Sequence, residues 1–121
     1  MEVKCFSCDS QGMAEAQTFL ESVCPAPKPG IIMDEIVSNI VRCSGANQFE
    51  IGLEKADDGL TMVFSDDGKS FDPTTEVEDP NVDAPVEERS VGGLGIFMVK
   101  KMSKSVKYVR QDGKNVLTVK L

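Results

Sequence analysis

Histidine is missing from all 121 residues of the chain, tryptophan is missing too, and tyrosine occurs once. Without histidine the chain holds no Ser-His or Cys-His nucleophile pair, no phosphohistidine acceptor and none of the commonest zinc ligand. Positive charge is scarce: 13 Lys and Arg stand against 20 Asp and Glu, for a net charge of -7. That balance repels nucleic acid and anionic lipid, and no basic stripe interleaved with aromatics offsets it. No apolar run approaches the roughly 20 residues that cross a bilayer. The amino terminus, MEVKCFSCDS, has no basic region followed by an apolar core. The expectation is a cytoplasmic protein with no nucleic-acid and no membrane partner.

The length fits a single domain, residues 1–121, able to build one core without disulfides or metals. Two of the four cysteines, Cys5 and Cys8, have Cys-x-x-Cys spacing, with Cys24 and Cys43 further on. On a strand, positions three apart face opposite ways, and a structural zinc site wants a second close pair of ligands. The cysteines read instead as small buried apolar residues in a reducing compartment.

Residues 2 to 8 read as a strand. Asp9 or Ser10 then caps a helix from about Gly12 to Cys24, with Met13, Ala16, Phe19, Leu20 and Val23 on its apolar face. The prolines of CPAPKPG predict a stiff connector. A second helix over 31 to 43 turns Met33, Ile36, Val37, Ile40 and Val41 inward, while Glu35, Ser38, Asn39 and Arg42 form one polar stripe at i, i+3, i+4, i+7. A hairpin follows, turned by Asp57-Asp58-Gly59, and a second, turned by Gln111-Asp112-Gly113-Lys114, ends the chain.

Period two places Asp66 in phase with Leu60, Met62 and Phe64, on the covered face of the sheet. No cationic neighbour is evident, so the carboxylate is expected to lack a protein partner and to await a donor from a ligand. On the residues alone, the alternative that Asp66 merely caps a turn stays open. Residues from about 72 to 92 show no periodicity, and 72–91 carry seven acids against one base, as in a lid or a solvated excursion. The glycine cluster Gly92-Gly93-Leu94-Gly95 then precedes an apolar helix, an arrangement whose free amides suit phosphate. Gly68-Lys69-Ser70 is not a P-loop, because Val63 stands where the first glycine belongs. Gly93-x-Gly95 lacks the third glycine of a dinucleotide fold.

Three motifs in fixed order remain: Glu35-x-x-x-Asn39 on a helix, Asp66-x-Gly68 with Phe71-Asp72-Pro73 at a strand end, and Gly93-x-Gly95 at a helix start. In these the chain resembles the GHKL superfamily of ATP-binding domains, and most of all the stand-alone anti-sigma-factor serine kinases, over nearly its whole length. The resemblance implies an α+β fold, a two-layer α/β sandwich of the Bergerat type. Its sheet would be mixed and largely antiparallel, with three main helices on one face. It also implies ATP and Mg²⁺ as cofactors. Asp66 would accept from the adenine amino group, Gly68 would let the base approach, and Phe71 would belong to the same pocket. Asn39 would ligate Mg²⁺, the amides of Gly92, Gly93, Leu94 and Gly95 would cradle the phosphates, and Glu35 would be the general base. Implied partners are a sigma factor and an antagonist protein phosphorylated on serine; a homodimer is implied by the relatives alone.

Two departures stand out. Cys43-Ser44-Gly45 replaces a run that begins with histidine in the family, and Lys69-Ser70 stands where a further glycine is common. A nucleotide-gated binding module without kinase activity is the competing expectation, since both readings need the same ATP site. A detached histidine-kinase domain and a cysteine-based metal or redox protein fit the residues less well.

Overall fold

The computed structural model describes residues 1–70, 72 and 91–121, with the side chains of 91–96 outside the description. Its elements run β1 (Glu2–Ser7), α1 (Ser10–Val23), α2 (Pro27–Cys43), β2 (Gln48–Ala56), β3 (Gly59–Asp66), α3 (Val91–Met102), β4 (Ser105–Gln111) and β5 (Lys114–Lys120). The five strands form one sheet in the order β1-β2-β3-β5-β4. Every described pairing is antiparallel, so the expected mixed character is not seen among the described residues.

Alternation builds the covered face. Leu60, Met62 and Phe64 of β3 are buried with Phe49, Ile51 and Leu53 of β2, and with Leu117 and Val119 of β5. The helices lay their apolar stripes on this face: Ala16, Phe19 and Leu20 from α1, Ile32, Met33, Ile36 and Val37 from α2, and Val99 from α3. All belong to one cluster, so the three helices cover one side of the sheet and the α+β two-layer expectation holds. Each fully buried large side chain contributes about 1.5–3 kcal/mol by leaving water.

Local chemistry sets the ends of these elements. Asp9, extended at φ -154°, caps α1 by accepting from Gly12 N at 2.8 Å. The expected proline connector is much shorter than CPAPKPG, because α2 already begins at Pro27. Proline costs nothing in the first helical turn, where amide hydrogens have no intrahelical acceptor, so Pro27 and Pro29 start the helix rather than block it. The β4–β5 turn has positive φ at both central residues, 53° at Asp112 and 74° at Gly113, the geometry that matches strand twist in two-residue hairpins.

Antiparallel register gathers one end of the molecule. Asp66 pairs with Phe49 on one side and with Asn115 on the other, and Ser7 pairs with Gln48 beside them. The loop after α2 reaches the same end, where Ser44 O accepts from Lys69 N at 2.8 Å.

Candidate functional site

Asp66 closes β3 on the covered face, as its phase predicts, and is 6% exposed. The expectation that it lacks a protein partner needs correction. Its Oδ1 accepts from Gly68 N at 2.9 Å and from Asn115 Nδ2 at 3.0 Å. Both bonds fall on one oxygen, and no donor among the described residues meets Oδ2. The carboxylate is thus held in one orientation with one oxygen still able to accept.

Asn115 has no place in the sequence motifs, yet it organises this corner. Its Nδ2 also donates to Lys69 O at 2.8 Å, and its Oδ1 accepts from Arg110 Nη1 at 3.1 Å and from the Tyr108 hydroxyl. Two acceptors on the nitrogen and two donors on the oxygen fix the amide's orientation. Arg110 Nη1 donates to Gly68 O as well, at 2.8 Å. The missing cation is therefore present at one remove, joined to Asp66 through Asn115. The available signal was phase: Asn115 is the polar member of the buried series Asn115, Leu117, Val119.

Gly68 has a reason of its own to be glycine. A Cβ there would lie 2.2 Å from Ser44 O, so the carbonyl after α2 occupies the space a side chain would need. The buried Ser44 belongs to the Cys43-Ser44-Gly45 departure, and its Oγ accepts from Ala46 N at 3.1 Å. This departure thus closes α2 and supplies, just beyond its end, the carbonyl that docks onto the Asp66 loop.

Glu35 and Asn39 lie one turn apart on α2, as the spacing predicts, but in different settings. Glu35 is half-buried and lines an open cleft of about 390 Å³ with Met13, Ser38, Val41 and Arg42. Asn39 is buried at 6% exposure, and its Oδ1 accepts from Arg42 Nη2 at 2.7 Å. Its Nδ2 is buried with no hydrogen-bond partner. The expected metal role requires the amide oxygen, and here a guanidinium holds it. As arranged, the donor set does not fit Mg²⁺, and among the described residues no group of three or more Cys, Asp or Glu offers another metal site.

The glycine cluster lies within the first turns of α3 rather than ahead of it, because the helix begins at Val91. Gly92, Gly93, Leu94 and Gly95 are described through their backbone alone. Phe71 and nearly all of the expected lid at 72–92 lie outside the described residues.

The cysteines are less buried than expected. Cys5 is exposed, the other three are half-buried, and all four are free. Burial, then the nearby charges of Asp66, Asp9 and Asp67, pushes the Cys8 thiol up, which disfavours its thiolate.

A buried, oriented acid at a strand end beneath a helical layer defines a class. Residues 14–121 match the histidine kinase-like ATPase domain, and the chain belongs to that family. It is similar to the serine-protein kinase RsbW of Staphylococcus epidermidis, 28% identical over 98 residues that cover 74% of this chain and 62% of that protein. RsbW of Listeria monocytogenes serotype 4a is 31% identical over 97 residues, with the same 74% and 62% coverage. The chain thus spans less than two thirds of the length of these relatives. Among solved structures, the histidine kinase AdeS of Acinetobacter baumannii matches 98% of this chain and 66% of its own, with a TM-score of 0.57. At 14% identity that likeness is one of fold.

Proposed function

We propose that residues 1–121 form one ATP-binding domain that phosphorylates a serine on a small antagonist protein and sequesters a sigma factor. The observation that carries this reading is the state of Asp66: buried, oriented through Oδ1 by Gly68 and Asn115, with Oδ2 left to accept. An acceptor fixed in this way selects a donor such as the adenine amino group over a keto oxygen. Membership of a kinase-like ATPase family and likeness to proteins named serine-protein kinases support the same choice.

In this reading Asp66 binds the base, and Gly68 and Phe71 complete its pocket. The amides of Gly92 and Gly93, in the first turn of α3 where N–H groups have no intrahelical acceptor, receive the phosphates, and Leu94 and Gly95 continue the helix behind them. Glu35, half-buried beside an open cleft, takes the proton from the incoming serine hydroxyl. A divalent cation would neutralise phosphate charge when bound, but at Asn39 it would first have to displace Arg42. We take the protein to be cytoplasmic and homodimeric by the same likeness; no described helix is long and apolar enough to cross a membrane.

The test is incubation with labelled ATP and a candidate antagonist, alongside calorimetric titration of ATP into wild type and Asp66→Asn. Label transfer that is lost in Glu35→Ala, with binding lost in Asp66→Asn, is the expected result. Equal binding by wild type and Asp66→Asn would remove the assigned pocket. Binding without transfer would favour the second reading, a nucleotide-gated binding module. The engagement of Asn39 by Arg42 lends that reading its specific support.

A further inference from the structure

Asn39 was expected to offer its oxygen to a metal, and the structure gives that oxygen to an arginine. Arg42 sits in the last turn of α2, where positive charge is favoured by the helix dipole. Its guanidinium is held at two points by its own helix, Nη2 on Asn39 Oδ1 at 2.7 Å and Nε on Ser38 O at 3.3 Å. The amide cannot turn over, because that would set an NH₂ against the guanidinium, donor to donor. Asn39 Nδ2 is consequently buried with nothing to donate to, although an orphaned buried donor is rare in folded proteins. An anionic oxygen would satisfy it.

We infer that Arg42 is a resident cation of the phosphate site, competing with divalent metal for Asn39 Oδ1 and turning the Asn39 amide donor toward an anion. The inference rests on the nucleotide-binding reading given above. A guanidinium and a Mg²⁺ ion cannot share one amide oxygen without strong repulsion, since the ion demands short, near-octahedral oxygen contacts. With the arginine in place, a polyphosphate meets a charge-assisted donor and an unpartnered amide N–H on the same helical stripe. Nucleotide affinity of this chain then depends weakly on divalent cation and strongly on Arg42.

Titration of ADP, with Mg²⁺ and with a chelator, into wild type, Arg42→Ala and Arg42→Gln tests this by binding alone. Arg42 is exposed and its two bonds lie within α2, so the variants keep the fold; thermal melts verify it. For wild type the ratio of affinities with and without Mg²⁺ is expected to be small. In Arg42→Ala it is expected to rise about tenfold, the scale of one charge-assisted hydrogen bond, because metal now reaches the vacated oxygen. Arg42→Gln keeps an N–H to donate but no charge, and its ratio is expected to fall between the two. A ratio that does not rise in Arg42→Ala, while ADP still binds, overturns the role of the arginine and leaves the nucleotide site standing. Failure of ADP to bind wild type under either condition overturns both.

Discussion

The carbonyl oxygen of Ser44 stands 2.2 Å from the point where a Cβ on Gly68 would be, and it accepts from Lys69 N at 2.8 Å. Through this contact the end of α2 is latched to the loop that carries Asp66. Gly68→Ala must push two backbones apart at a site with no flexible side chain to yield. A loss of about 1–3 kcal/mol, as for other overpacked positions, is expected in urea denaturation. ATP affinity, measured in the same variant, is expected to fall as well, because the displaced loop carries one of the two donors to Asp66.

Asn115 is the other donor, and its truncation strands more than one group. Asn115→Ala leaves Asp66, Lys69 O, Tyr108 and Arg110 each short of a bond. Because one of these is a buried carboxylate, about 3 kcal/mol of lost stability is expected by chemical denaturation. In a double-mutant cycle with Asp66→Asn the two losses should be less than additive, since the neutral amide needs its partner less. Full additivity would mean that Asn115 does not act through Asp66.

The cap of α1 makes a pH prediction. The Gly12 backbone N–H, and then the Ser7 hydroxyl, hold the Asp9 carboxyl below its usual range. A carboxylate lowered in the folded state stabilises fully above the unfolded value of about 3.9, and the contribution disappears as pH falls through the lower folded value. Stability should therefore fall with acid below about pH 4. Asp9→Asn, which caps without titrating, should show a shallower fall in thermal melts taken across that window.

The thiols should separate by rate. Cys5 is exposed on the edge strand, whereas the Cys8 thiol is half-buried among three aspartates that disfavour its thiolate. Limited alkylation at neutral pH, read by peptide mass spectrometry, should label Cys5 well before Cys8. Equal labelling would show that burial and the acids do not protect it.

Much of this was legible where a short-range period decides the outcome. Period two placed Asp66 on the covered face beside Phe64, and the spacing on α2 put Glu35, Asn39 and Arg42 on one stripe. What the stripe could not say was which atom of Asn39 the guanidinium would take, because that depends on side-chain rotamers. Asn115 was equally in phase with Leu117 and Val119, but its meaning came only with the β3–β5 pairing, a relation across 49 residues. The start of α2 was missed for a different reason. Proline is read as a helix breaker, and at Pro27 it is a helix opener.

That pairing also sets an order of events during folding. The chain must run through α3 and β4 before β5 can lie against β3, so the acid acquires its amide partner only when the last strand arrives. Closing so wide a loop is slow compared with forming the hairpin that contains Asp66 itself. A polypeptide still emerging from the ribosome would therefore carry the base-reading aspartate for tens of residues before it could hold it still, and nucleotide can reward folding only at the final step.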